Sequence, residues 1–140
     1  MSEATSVEGG CLCGAVRYSL TKAPDKIIQC HCTECQKASG TGASVNAPVA
    51  TTGFEVIQGS PAVFSKQVHS GRTLNRYFCQ QCGSPLFSRR ESSPEMTLLK
   101  IGTLDDPSEA AIVMNVWTSR ARSWMTWDES LPAHEQNRPV

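Results

Sequence analysis

A chain of 140 residues is close to the commonest single-domain size and can bury one sizeable core, so no second domain is required. Thirteen basic residues balance thirteen acidic ones, which removes the broad attraction that nonspecific nucleic-acid or anionic-membrane binding relies on. The longest apolar run, Ala110 to Met114, falls far short of the roughly 18 residues that a membrane span needs.

The first ten residues are polar and acidic, without the basic start and apolar stretch of a secretory signal, so the expected compartment is the cytoplasm. Residues 1–8 and 134–140 read as flexible ends around one domain at 9–133. The first strand is marked by period two: Val16, Tyr18 and Leu20 face one way, Arg17 and Ser19 the other. Further strands are expected at Lys26 to Cys30, Ala43 to Ala47, Phe54 to Gln58, Ala62 to Val68 and Leu74 to Phe78. Three more follow at Leu86 to Arg89, Met96 to Ile101 and Ile112 to Thr118. Turn sequences such as Gly59-Ser60-Pro61, Ser70-Gly71 and Gly83-Ser84-Pro85 separate them, so the chain keeps reversing and the fold class is mostly β, of short antiparallel strands. One short helix is predicted over Thr33 to Ser39, with Thr33 as its N-cap, Glu34 at the positive end of the dipole and Gly40 ending it.

Seven cysteines are the outlying feature of the composition. An odd total in a reducing compartment favours metal ligation over a disulfide framework, which stays as the lesser alternative. They fall in three clusters: Cys11 and Cys13 before Gly14; Cys30, Cys32 and Cys35; and Cys79 and Cys82 before Gly83. Zinc prefers four tetrahedral ligands, and a structural site closes all four positions with protein. The first and third clusters supply two sulfurs each, and the glycine after each pair allows a tight knuckle that points amides at the thiolates. A thioredoxin-like role for Cys79 and Cys82 is disfavoured, because Gly83-Ser84-Pro85 follows where a helix should open. Cys30, Cys32 and Cys35 remain, and three thiolates leave one position open, as a catalytic zinc needs. The competing reading is a second closed site completed by His31 or His69, although in an extended segment His31 points away from its neighbouring cysteines. Two zinc ions per chain are therefore expected. A three-thiolate zinc is soft and suits a thiol, which coordination deprotonates; such a sulfur can add to an aldehyde carbonyl or leave from the adduct.

The ordered motifs GCLCG at 10–14 with Val16, Arg17 and Tyr18, CHCTECQKASG at 30–40 and FCQQCG at 78–83 resemble those of a known family. It is the glutathione-dependent formaldehyde-activating enzyme and centromere protein V family. Gly102 to Asp105, the pair Trp117 and Trp124, and Asp128 to Pro132 extend the resemblance to nearly the whole chain. The resemblance implies an Mss4-like fold with zinc knuckles. It implies a structural zinc on Cys11, Cys13, Cys79 and Cys82, and a catalytic one on Cys30, Cys32 and Cys35. The implied activity is that of a carbon-sulfur lyase, with a glutathione-like thiol and a small aldehyde, formaldehyde, as small-molecule partners; the balanced charge and short apolar runs add neither nucleic acid nor membrane. The alternative from another class is a noncatalytic zinc-binding module for protein contact or chaperoning.

Substrate contacts are less defined. Trp117, Trp124 and Trp127 read first as packing residues. Arg72, Arg76, Arg89, Arg90, Arg120 and Arg122 could pair with substrate carboxylates but read mostly as solvated charges. Ser39, Gly40 and Thr41 could face a ligand or merely end the helix.

Overall fold

The structure, a computed structural model, describes residues 7–68 and 71–137. In chain order the elements are β1 (Val7–Gly10), β2 (Arg17–Leu20), β3 (Lys26–Cys30), α1 (Thr33–Ser39), β4 (Ser44–Ala50), β5 (Phe54–Gln58), β6 (Ala62–Gln67), β7 (Thr73–Phe78), β8 (Pro85–Arg90), β9 (Met96–Lys100) and β10 (Ala111–Val116). The strands form a three-stranded sheet, β1-β2-β5, and a seven-stranded sheet, β10-β3-β4-β9-β8-β7-β6. The mostly β, Mss4-like class is as expected. Among the described residues no helix is long and apolar enough to cross a membrane.

Three local expectations change. β10 runs parallel to β3, whereas the other named pairs are antiparallel. A parallel pair needs a long connection, and the whole chain from α1 to β9 supplies it. The second change is β1, half of which lies in the end expected to be loose. Its glycines give little strand signal, yet β2 supplies a complete ladder from Val7↔Leu20 to Gly10↔Arg17. At Gly9 a Cβ would meet the Tyr18 ring and the Thr103 carbonyl, so only glycine lets this strand lie so close. Third, the other end is bound through residues 134–136: Thr118 N donates to His134 O at 3.1 Å, and Trp117 N donates to Gln136 O at 3.0 Å. Residues 1–6 and 138–140 of the expected ends, together with His69 and Ser70, lie outside the described residues.

Cross-strand partners share a side of the sheet, so register sorts the large sheet into two faces. One face is apolar and follows Ala47↔Leu99↔Phe87↔Tyr77. It closes against Val16, Tyr18, Leu20 and Phe54 of the small sheet in one buried cluster. Phe54 links the sheets through rings, 5.3 Å from Tyr18 and 4.7 Å from Phe87, in the tilted and edge-on geometries that aromatic quadrupoles favour. The opposite face is polar: Cys30↔Ser44 on β3 and β4, Asn46↔Lys100 on β4 and β9, and Ser88↔Arg76↔Phe64 across β8, β7 and β6. α1 is tied to this face at its β6–β7 end by Glu34, whose carboxylate pairs with Lys66 and Arg76.

Candidate metal centres

The four-cysteine cluster is built from two similar turns. After Cys11–Cys13, Gly14 takes φ 83° and its amide returns to Cys11 O; after Cys79–Cys82, Gly83 takes φ 80° and its amide returns to Cys79 O at 2.7 Å. Positive φ at both positions is the reason glycine stands there. Val16 N donates to Cys11 Sγ at 3.3 Å, and the Ser84 hydroxyl lies 3.2 Å from Cys82 Sγ. Hydrogen bonds from that hydroxyl and from the amides of Ser84 and Cys13 hold the Cys82 thiol down at about 5, so this sulfur is readily a thiolate. The four Sγ atoms lie within 4.8 Å of one another, with Cys11–Cys13 at 3.6 Å and Cys13–Cys79 at 3.8 Å. Tetrahedral zinc with bonds of roughly 2.3 Å needs sulfurs about 3.8 Å apart, so the donor set fits that ion. No pair of cysteines is joined as a disulfide.

The three-cysteine cluster forms where β3 runs into α1. Cys30 ends the strand, Cys32 caps the helix and Cys35 lies in its first turn. The cap differs from expectation: Cys32, not Thr33, precedes the first turn, because its Sγ accepts the Cys35 amide at 3.2 Å. A sulfur placed there meets the positive end of the short dipole. Gly40 ends the helix in the left-handed conformation, as expected. The three Sγ atoms lie within 4.8 Å of one another, and no described histidine or carboxylate joins the group. Three sulfurs so close share protons rather than all ionising. Hydrogen bonds from Cys32 and Cys35 push the Cys30 thiol far up, while those from Cys30 and Cys32, helped by Ser44 and Lys100, pull Cys35 down to about 2. A divalent cation would relieve this conflict by taking the protons' place.

His31 is fully buried on the other side of the segment. Its Nε2 is 2.9 Å from Asn115 Oδ1, and its ring lies 4.9 Å from that of Trp127. It is a core residue that orients the cysteines on either side of it. Gln36 braces the same turn, donating to the carbonyls of His31 at 2.7 Å and Arg120 at 3.0 Å while accepting from Arg122 Nε at 2.7 Å. Ser39 and Thr41 are used internally: Ser39 Oγ donates to the Cys35 carbonyl at 2.8 Å, and Thr41 Oγ1 donates to Ala43 O. Arg89 donates Nε to Thr97 Oγ1 and stacks over Phe87 at 4.9 Å, so it belongs to the core's margin. Trp117 donates Nε1 to Asn137, whereas Trp124 is 69% exposed and rests where Gly42 leaves room.

Two residues near the three sulfurs escaped sequence reasoning. Lys100 is largely buried, which pushes its pKa down, while the charges of Cys35, Cys30 and Cys32 oppose that shift. Its signal was a lysine inside the apolar run Leu98, Leu99, Lys100, Ile101. Asn46, its cross-strand partner, is buried with Nδ2 on Ser44 Oγ and Oδ1 without a hydrogen bond. Nothing in the sequence marks that neighbour.

Residues 6–120 match the family described as "Glutathione-dependent formaldehyde-activating enzyme". A Halomonas elongata protein named "Putative glutathione-dependent formaldehyde-activating enzyme" is 28% identical over 95 residues, covering 64% of this chain and 60% of that protein's length. A solved structure of a Rhodobacter sphaeroides protein superposes with a TM-score of 0.55 at 24% identity, covering 70% of this chain and 87% of the other. That likeness bears on the fold alone.

Proposed function

The chain belongs to the glutathione-dependent formaldehyde-activating enzyme family, and we propose from that premise that it is a zinc enzyme of the carbon-sulfur lyase type. It joins a glutathione-like thiol to formaldehyde, or parts the adduct, in a reducing compartment such as the cytoplasm. In the forward direction a carbon-sulfur bond forms, the carbonyl oxygen takes a proton, and S-hydroxymethylglutathione results. The observation that carries this reading is the three-sulfur group with no fourth protein ligand among the described residues.

Both donor sets fit zinc, so the reading gives two ions per chain: Cys11, Cys13, Cys79 and Cys82 would hold the structural one, and Cys30, Cys32 and Cys35 the one at the reaction site. Zinc held by three thiolates would supply a soft electrophilic centre that favours the ionised form of a fourth thiol near neutral pH. The chain's own residues set the conditions. The Cys35 amide donates to Cys32 Sγ, and Ser44 stands as the cross-strand partner of Cys30, so part of the sulfur charge is met by protein. Lys100 places a positive charge near all three sulfurs and offsets the build-up of negative charge when a further thiolate arrives. His31, fixed to Asn115 and Trp127, stays out of the open position.

Calorimetry of glutathione binding to zinc-loaded protein, in buffers of different ionisation enthalpy, tests the reading. About one proton released per thiol bound near neutral pH is expected, because the free thiol is mostly protonated there. Fully loaded protein that binds no thiol supports the second reading, a noncatalytic zinc module. Edge strand β6 favours that alternative, since among the described residues it pairs only with β7 and leaves Val63 and Phe64 about half exposed.

A further inference from the structure

α1 has two working sides. Cys35 joins Cys30 and Cys32 in the sulfur cluster at the end of β3, whereas Glu34 and Lys37 line a groove of about 340 Å³ between the helix and the β6–β7 hairpin. That volume lies at the lower end of small-molecule sites, roughly 300–1,000 Å³. Lys66 and Arg76 form the strand side of the groove, with Phe64 and Pro85 as apolar wall. Three cations against one carboxylate make it strongly basic in a chain whose formal charge is zero.

The two strand cations are incompletely used. Lys66 Nζ reaches Glu34 Oε2 at 3.2 Å, but Arg76 Nη2 stands 3.6 Å from Glu34 Oε1, too long for a hydrogen bond. Glu34 Oε1 is consequently buried without a donor, and Arg76 faces it across a gap longer than a hydrogen bond. A guanidinium fork binds a free carboxylate with two parallel hydrogen bonds, which a side chain anchored in α1 does not reach. The groove adjoins the sulfurs along the helix itself, because Glu34, which lines it, is the residue before Cys35 in α1.

We propose that this groove seats the carboxylate-bearing part of an anionic thiol ligand whose sulfur reaches the three-cysteine site, Arg76 and Lys66 taking the carboxylate in place of Glu34. The inference rests on the thiol-binding reading and adds the determinant of which thiol binds. Phe64 and Pro85 cover the ligand's methylene groups, and Lys37 supplies further positive charge at the helix side. A neutral thiol of similar size lacks the partner for Arg76 and binds by its sulfur alone.

The test compares S-methylglutathione with its diethyl ester, by calorimetry on zinc-loaded protein. S-methylation removes the ionisable thiol and esterification removes both carboxylates. The acid is expected to bind at least tenfold more tightly than the ester, with the preference weakening as salt rises. Arg76→Met and the more exposed Lys66→Met should each reduce the preference to about threefold or less while leaving ester affinity unchanged. Glu34→Gln should raise affinity for the acid about threefold by removing the internal competitor. Equal binding of acid and ester, no binding of either, or a preference that survives in both Met variants overturns the groove. Glutathione itself separates the two readings. Proton release without an acid-over-ester preference leaves thiol activation standing and the groove refuted. A preference dependent on Arg76, without proton release from glutathione, leaves the groove standing and thiol activation refuted.

Discussion

The two cysteine clusters use the same ligand in opposite ways. Cys11 and Cys13 meet Cys79 and Cys82 across 66 residues of sequence, joining the small sheet's approach to the turn between β7 and β8. Cys30, Cys32 and Cys35 are local, gathered by the end of one strand and the first turn of one helix. Closing a long loop ties metal binding to folding of the whole chain, whereas a local set can be emptied without opening the core. Their surroundings differ to match. The four-sulfur site is held by backbone turns and amides, while the three-sulfur site faces Lys100, Ser44 and Asn46 on the polar side of the large sheet.

The largest expected difference is in stability. Cys79→Ser should leave insoluble or unfolded protein, because structural zinc contributes ~10 kcal/mol or more to folding, comparable with a domain's entire stability. Cys32→Ser should give folded protein with about one zinc fewer, measured by circular dichroism and metal analysis. Equal unfolding of both variants would show that the local cluster is structural too. Stepwise chelation should give the next largest contrast: the first equivalent of zinc leaves with far-UV dichroism unchanged, and the second departs together with the folded signal. Loss of both in one step contradicts the division.

Lys100→Met acts on one cluster only. Removing a positive charge near three thiolates at an effective dielectric of about 20 costs on the order of 1–2 kcal/mol. Zinc retention at the three-cysteine site should therefore fall roughly tenfold in competition with a chromophoric chelator, with the four-cysteine site unaffected. The smallest expected effect lies near the first knuckle, where Arg17 on β2 pairs with Glu8 and, through Nη1 at 3.0 Å, with Asp105. Hydrogen bonding to Arg17 holds the Asp105 carboxyl below its ordinary 3.8. A carboxyl depressed in the folded state contributes stability that is present above about pH 3.8 and is lost as pH falls through the lower folded value. Asp105 is more than half exposed, so screening limits this contribution to under ~1 kcal/mol. Asp105→Asn should flatten the acid limb of the stability curve slightly, in urea titrations followed between pH 2 and 5.

The apolar alternation, the short helix and the grouping of cysteines were legible because each depends on residues a few positions apart. β3, β5 and α1 have the bounds their own sequences announce. Local spacing could equally show that Cys32 and Cys35 share a helical face, and that glycine after each knuckle takes positive φ. β1 was invisible, since Val7 to Gly10 becomes a strand only through its ladder with β2 and the close approach to Tyr18. The parallel pairing of β10 with β3, the burial of His31 against Asn115 and Trp127, and the meeting of Lys100 with the three sulfurs are likewise products of register between distant segments. Sequence by itself determined the cysteine groups and the local geometry that presents them, because the spacing within each group and strand or helix periodicity are short-range. Only the tertiary structure decided which charges surround the sulfurs, because a charge's neighbours across a sheet are set by strand order, which no local pattern encodes.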